Sequence, residues 1–170
     1  MDKAYKIFEK IISVLLILSG IFILWMSLDL LFHKLDIVVR SNNNSYSGLS
    51  NYYYRYFRDF HLVVLIGILG IISGVLLLKS KKTGWILSAI FFLGFPISVL
   101  LRNWLNPESD FHSPSPKTYA TIGITVFILL VGFVLLLKPF RIKYKVEPRD
   151  INYIFLGIAF VIVDVFVFKK

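Results

Sequence analysis

Five long apolar runs, near residues 11–32, 61–78, 85–101, 119–137 and 151–168, fill most of this 170-residue chain, with polar or charged breaks between them. As α-helices of about 17 to 22 residues, rising about 1.5 Å per residue, they would each cover roughly 26 to 33 Å, close to the thickness of a bilayer's hydrocarbon core. A hydrophobic content of 57% and a mean hydropathy of +0.75 leave too few polar residues to coat a water-soluble globule. The longest non-apolar stretch, residues 33–60, is too short to enclose a core of its own. The chain therefore reads as an all-α integral membrane protein: one membrane domain over residues 1–170, a bundle of five transmembrane helices, with outer loops at 33–60 and 102–118.

The two ends of this assignment need separate arguments. Basic residues before an apolar run suggest a secretory signal, but the run from Ile11 to Trp25 continues through Leu31 without a small-x-small cleavage pattern, so an uncleaved first helix is expected. The fifth run, Ile151 to Phe168, is short, contains Asp164 and is followed by Lys169 and Lys170. A four-span bundle is thus the alternative. Spanning is favoured because an almost unbroken apolar run has no polar face with which to lie on a surface.

Lysine and arginine set the orientation. One side of the five-span threading carries eleven, at Lys3, Lys6 and Lys10, at Lys79, Lys81 and Lys82, and from Lys138 to Arg149; the other carries eight, spread over longer loops. Net charges of +7 and +2 place the N-terminus in the cytoplasm and the C-terminus outside. The basic face also accounts for the pI near 9.8 without nucleic acid, since anionic lipid head groups at the cytoplasmic surface are its expected partners. Lysine-rich, AT-biased composition hints at a bacterial inner membrane. The absence of cysteine excludes disulfides, thiolate metal sites and palmitoylation.

Aromatic residues fall where an interfacial belt would be: Trp85, Trp104, and the group Tyr52, Tyr53, Tyr54, Tyr56 and Phe57. Within the spans, Gly67, Gly70 and Gly74 share one side of the second helix and include a GxxxG, the pattern that lets helix backbones approach. Gly94 and Pro96, with Ser98, mark a kink in the third, either a fixed bend or a hinge. The segment Gly74 to Lys79 resembles Gly132 to Lys138, each ending a span in leucines and lysine, which convergence explains better than duplication, since any span end entering the cytoplasm tends to show leucines before lysine.

All three histidines lie on the outer side beside carboxylates. Asp29, His33 and Asp36 share one face if the first helix continues past Phe32; Asp59 and His61 stand at the entrance to the second; Asp164 comes to nearly the same level on the fifth, with Arg102 available as a counter-charge. Glu108, Asp110 and His112 occupy the second outer loop. Imidazole with carboxylate can ligate a divalent metal or pass protons, yet the spacing matches no metal motif, so solvated interfacial charge is the expectation and no metal or cofactor is assigned. Asn43-Asn44-Ser45 matches a glycosylation sequon that is common by chance. No P-loop, GxGxxG, GxSxG or HExxH is present, and the middle of every span lacks an ionisable residue.

These readings favour a non-enzymatic bundle acting through helix–helix contact with another membrane protein or with its own copies, in an accessory, regulatory or immunity-type role. A small oligomeric transporter or channel is the second reading, and a membrane enzyme with an outer His/Asp site the third.

Overall fold

The computed structural model describes residues 3–41, 49–105 and 116–167, and within them the side chains other than those at 41, 49–59 and 117. Six helices follow in order: α1 (Lys3–Ser41), α2 (Leu49–Leu78), α3 (Lys82–Leu105), α4 (Pro116–Leu135), the short α5 (Lys138–Lys143) and α6 (Pro148–Val167). All regular structure among the described residues is helical, and five helices, including α6, are long and apolar enough to cross a membrane.

The region read as an outer loop at 33–60 is largely helix. Residues 33–40 contain neither glycine nor proline, and Asp36 and Arg40 form an i,i+4 ion pair at 2.9 Å, so α1 runs on to Ser41. α2 begins at Leu49. Residues 42–48 and 106–115, and with them the sequon and Glu108, Asp110 and His112, lie outside the described residues. So do the side chains of Asp59 and the tyrosine cluster.

At the opposite end, the helices stop for identifiable reasons. After α2, Ser80 adopts a left-handed conformation (φ 51°), and the Lys81 and Ser80 N–H groups donate to the Leu76 and Leu77 carbonyls at 2.9 and 2.8 Å, closing a Schellman turn. The same arrangement ends α5, with Lys145 at φ 48° and the Val146 and Lys145 N–H groups on the Arg141 and Ile142 carbonyls. The fourth apolar run stops as a helix at Leu135, two residues before its sequence limit, because Leu137 turns extended ahead of Pro139 and α5 starts in a new direction. Pro148 opens α6, where the Glu147 N–H donates to the Asp150 side chain at 2.7 Å, one half of a capping box.

α3 is the centre of the bundle, with α2, α4 and α6 packed around it, while α1 lies on α2. Glycines set these crossings. A Cβ at Gly74 would fall 2.7 Å from the Ser13 carbonyl oxygen, and one at Gly67 2.8 Å from Leu24, so the glycine side of α2 faces α1. Gly70 lies between α1 and the Phe91 ring of α3, and Gly20 completes the crossing, its Cβ position only 2.6 Å from the Gly67 carbonyl oxygen. Gly132 of α4 and Gly157 of α6 admit Leu93 and Ile90 of α3 in the same way. Gly94 has looser surroundings, 3.4 Å from Val161, and Pro96 is buried inside α3, where it deprives the Phe92 carbonyl of its helical donor.

Trp85 departs from its expected interfacial position. It is fully buried, and its indole N–H donates to the Leu135 carbonyl at 2.8 Å, satisfying an end group of α4. Tyr144, in the turn after α5, stacks on the Trp85 ring at 6.3 Å, while the buried Phe140 of α5 packs against Tyr5 and Phe8 of α1. Trp104, by contrast, is 67% exposed.

Candidate functional site

Polar side chains buried inside an apolar bundle are where function is sought first, because each must be offset by a partner. Half of those buried here bond within their own helix. Ser13, Ser73, Ser88, Ser98 and Thr125 all donate to carbonyls three or four residues earlier, so they add no polar path between helices. Three carboxylates, Glu9, Asp150 and Asp164, are buried as well, and each is held by a cation or an imidazole on another helix.

Two of the three sit at the end of the bundle where the N-terminus lies. Glu9 of α1 accepts hydrogen bonds from the Lys143 ammonium and from the Tyr144 hydroxyl, and Lys143 also reaches the Ser80 hydroxyl at 3.2 Å. Asp150, at the start of α6, pairs with Lys82 at the start of α3 at 2.6 Å. Together with the Trp85–Leu135 bond, these contacts tie α1, α3, α4, α5 and α6 at one level. Lys6, Glu9, Lys10, Ser13, Leu77, Leu78, Ser80 and Lys143 line an open pocket of about 250 Å³ there, with charged and apolar parts.

The third carboxylate lies at the far end. Asp164 of α6 accepts a hydrogen bond from Nε2 of His61 on α2 at 2.7 Å, with the two side chains only 5% and 10% exposed. The other oxygen, Oδ2, is buried and has no hydrogen-bond partner among the described residues.

Of the outer residues singled out in the sequence, His61 and Asp164 meet directly. Asp29 and His33 are exposed on α1, as is Asp36, which pairs with Arg40 along its own helix. Arg102 is half-buried near the C-terminal end of α3. Among the described residues no three histidine, aspartate or glutamate side chains gather as a metal site would require. A carboxylate with one imidazole can orient the ring and exchange a proton with it.

A larger hollow is apolar. α1 and α4 stand apart across α3 and leave a groove of about 380 Å³, floored by Phe91, Phe92 and Phe95 and walled by residues such as Ile12 and Phe127. Comparison with protein-family models, with curated proteins and with solved structures finds no match for this chain.

The sequence does not announce the cluster around Glu9. Glu9 stands as one acid among lysines, and its only advance signal is that it lies two residues before the first apolar run. Lys82 counts only toward the basic side, although Lys82 and Asp150 flank α3 and α6, which pack directly against each other.

Proposed function

We propose that the chain is a multi-pass protein of a cell membrane, with its N-terminus in the cytoplasm, that acts by lateral helix–helix contact with another membrane protein or a second copy. The observation that supports this reading is the groove between α1 and α4. Only 22% of α4's apolar stretch and 28% of α1's are covered within the chain, against 56% of α3's; α6 is covered to the same 28% as α1, and the phenylalanine-floored groove is what marks α1 and α4 as the side offered to a neighbour. Between helices in lipid, close packing is the main driving force, and a groove floored by phenylalanine rings gives inserted side chains a surface to pack against.

Single cysteines in the cysteine-free chain test this directly. Phe127→Cys and Leu15→Cys face the groove, and Phe155→Cys lies on the exposed side of α6. Cross-links in native membranes from the first two, to another protein or to a second copy, and not from the third, are the expected result. The absence of any adduct at the groove, with a monomer recovered on purification, would sink the proposal.

One observation favours a second reading, a small oligomeric transporter or channel. The buried, half-satisfied carboxylate of Asp164 is the kind of group that carries a proton or cation in a membrane. Flux in proteoliposomes that is lost in Asp164→Asn would support that reading over the first.

A further inference from the structure

The pocket at the inner end of α1 has a chemistry that the helix-contact reading does not use. Lys6 and Lys10 are one turn apart on α1, both exposed, and neither has an ion-pair partner among the described residues. Like charges at this spacing repel, so an anion between them relieves an unfavourable contact. Lys143 brings a third ammonium from α5. Its position is fixed by Glu9 below and by the Ser80 hydroxyl at 3.2 Å, and it has three N–H groups to share. Glu9 does not cancel the field of all three lysines, because its carboxylate is taken up by Lys143 and Tyr144, leaving the pocket lining with a net charge of +2.

The shape of the pocket narrows the ligand further. Ser80 supplies a hydroxyl from a turn held in the left-handed conformation, so the wall does not depend on a mobile side chain alone. On the side leading into the bundle the lining changes to Leu77 and Leu78, the latter 46% exposed. A ligand that satisfies both halves is charged at one end and apolar at the other. With the N-terminus cytoplasmic, the pocket opens at the level of the inner leaflet's head groups.

We propose that this pocket binds the phosphate of an anionic phospholipid, with Lys6, Lys10 and Lys143 around the phosphate oxygens, Ser80 donating a hydrogen bond, and the start of the acyl region against Leu78. The location at the inner leaflet rests on the threading given under the proposed function, whereas the phosphate chemistry rests on the pocket itself.

The test uses the full chain purified in detergent, with phosphatidylglycerol, phosphatidylcholine of the same acyl chains, and inorganic phosphate as probes, and binding read by native mass spectrometry and by melting temperature. Phosphatidylglycerol is expected to bind and to raise the melting temperature, phosphatidylcholine and inorganic phosphate much less. The double variant Lys6→Gln with Lys10→Gln should bind phosphatidylglycerol about thirty-fold more weakly, a factor of roughly five for each lysine removed near a lipid surface. Because both side chains are exposed, its lipid-free melting temperature should stay at the wild-type value, and the Lys6→Arg, Lys10→Arg variant should restore binding.

Equal binding of the two lipids, or undiminished binding by the Gln variant, would overturn the proposal. Equal stabilisation by inorganic phosphate would overturn the lipid as ligand. Labelling of Ser80→Cys by an impermeant thiol reagent in intact cells tests the threading separately: labelling there would overturn the inner-leaflet location even if phosphatidylglycerol bound.

Discussion

The two ends of this bundle treat buried charge differently. At the end where the N-terminus lies, Glu9 and Asp150 are each met by a lysine and at least one further donor, and the lysine contacts cross between helices that are far apart in sequence. At the far end, Asp164 has one imidazole and one bare oxygen. A fully satisfied buried carboxylate specifies how helices assemble, whereas a half-satisfied one costs stability at that point and is retained for another reason or tolerated. The end with Glu9 and Asp150 thus has the properties of a latch, and the end with Asp164 those of a site.

This contrast can be broken most forcefully at Glu9. Replacing it with leucine strands the Tyr144 hydroxyl and the Lys143 ammonium, and should lower stability by about 3 kcal/mol, the low end for a broken buried pair because Lys143 can turn toward water. Reversible unfolding in mixed micelles measures the loss. A change below about 1 kcal/mol would mean that the inner contacts follow from the packing and do not enforce it.

A smaller effect is expected at the outer pair, where the sign is more telling than the size. His61→Leu alone should cost roughly 1 to 2 kcal/mol by leaving Asp164 without its partner, and adding Asp164→Leu should recover most or all of that loss, since an apolar pair of similar volume replaces an imperfectly satisfied polar one. Additive losses in the double variant would contradict the view that the outer pair is retained at a cost to stability.

The smallest effect belongs to the turns. Lys145 occupies a left-handed position without glycine, so Lys145→Gly should stabilise the chain by about 1 kcal/mol. Its melting temperature should rise; a fall would show that the side chain holds the inner end together in some further way.

How much of this was legible depends on the range over which each feature is encoded. The five helices follow from uninterrupted apolar runs, and α3's kink candidate Pro96 and the glycine face of α2 are written in local sequence. The continuation of α1 to Ser41 was also local, in the absence of glycine or proline over 33–40 and in the Asp36–Arg40 spacing. Burial of Trp85 was not local at all. A tryptophan next to lysines is what an interfacial anchor looks like, and only the return of Tyr144 over it, after the break between α4 and α5, turns it into core. His61 and Asp164 are separated by 103 residues, and their meeting depends on both α2 and α6 packing against α3, which no spacing in the chain announces.

The length of α1 has a mechanical consequence. Its crossing with α2 is fixed near Gly20, where backbone meets backbone, and the helix then continues 21 residues to Ser41, an arm of about 31 Å. A lateral push on the N-terminal half of α1 that changed its tilt by about ten degrees would swing the far end by about 5 Å. With α2 as the fulcrum, α1 would act as a lever that carries a displacement from one end of the bundle to the other.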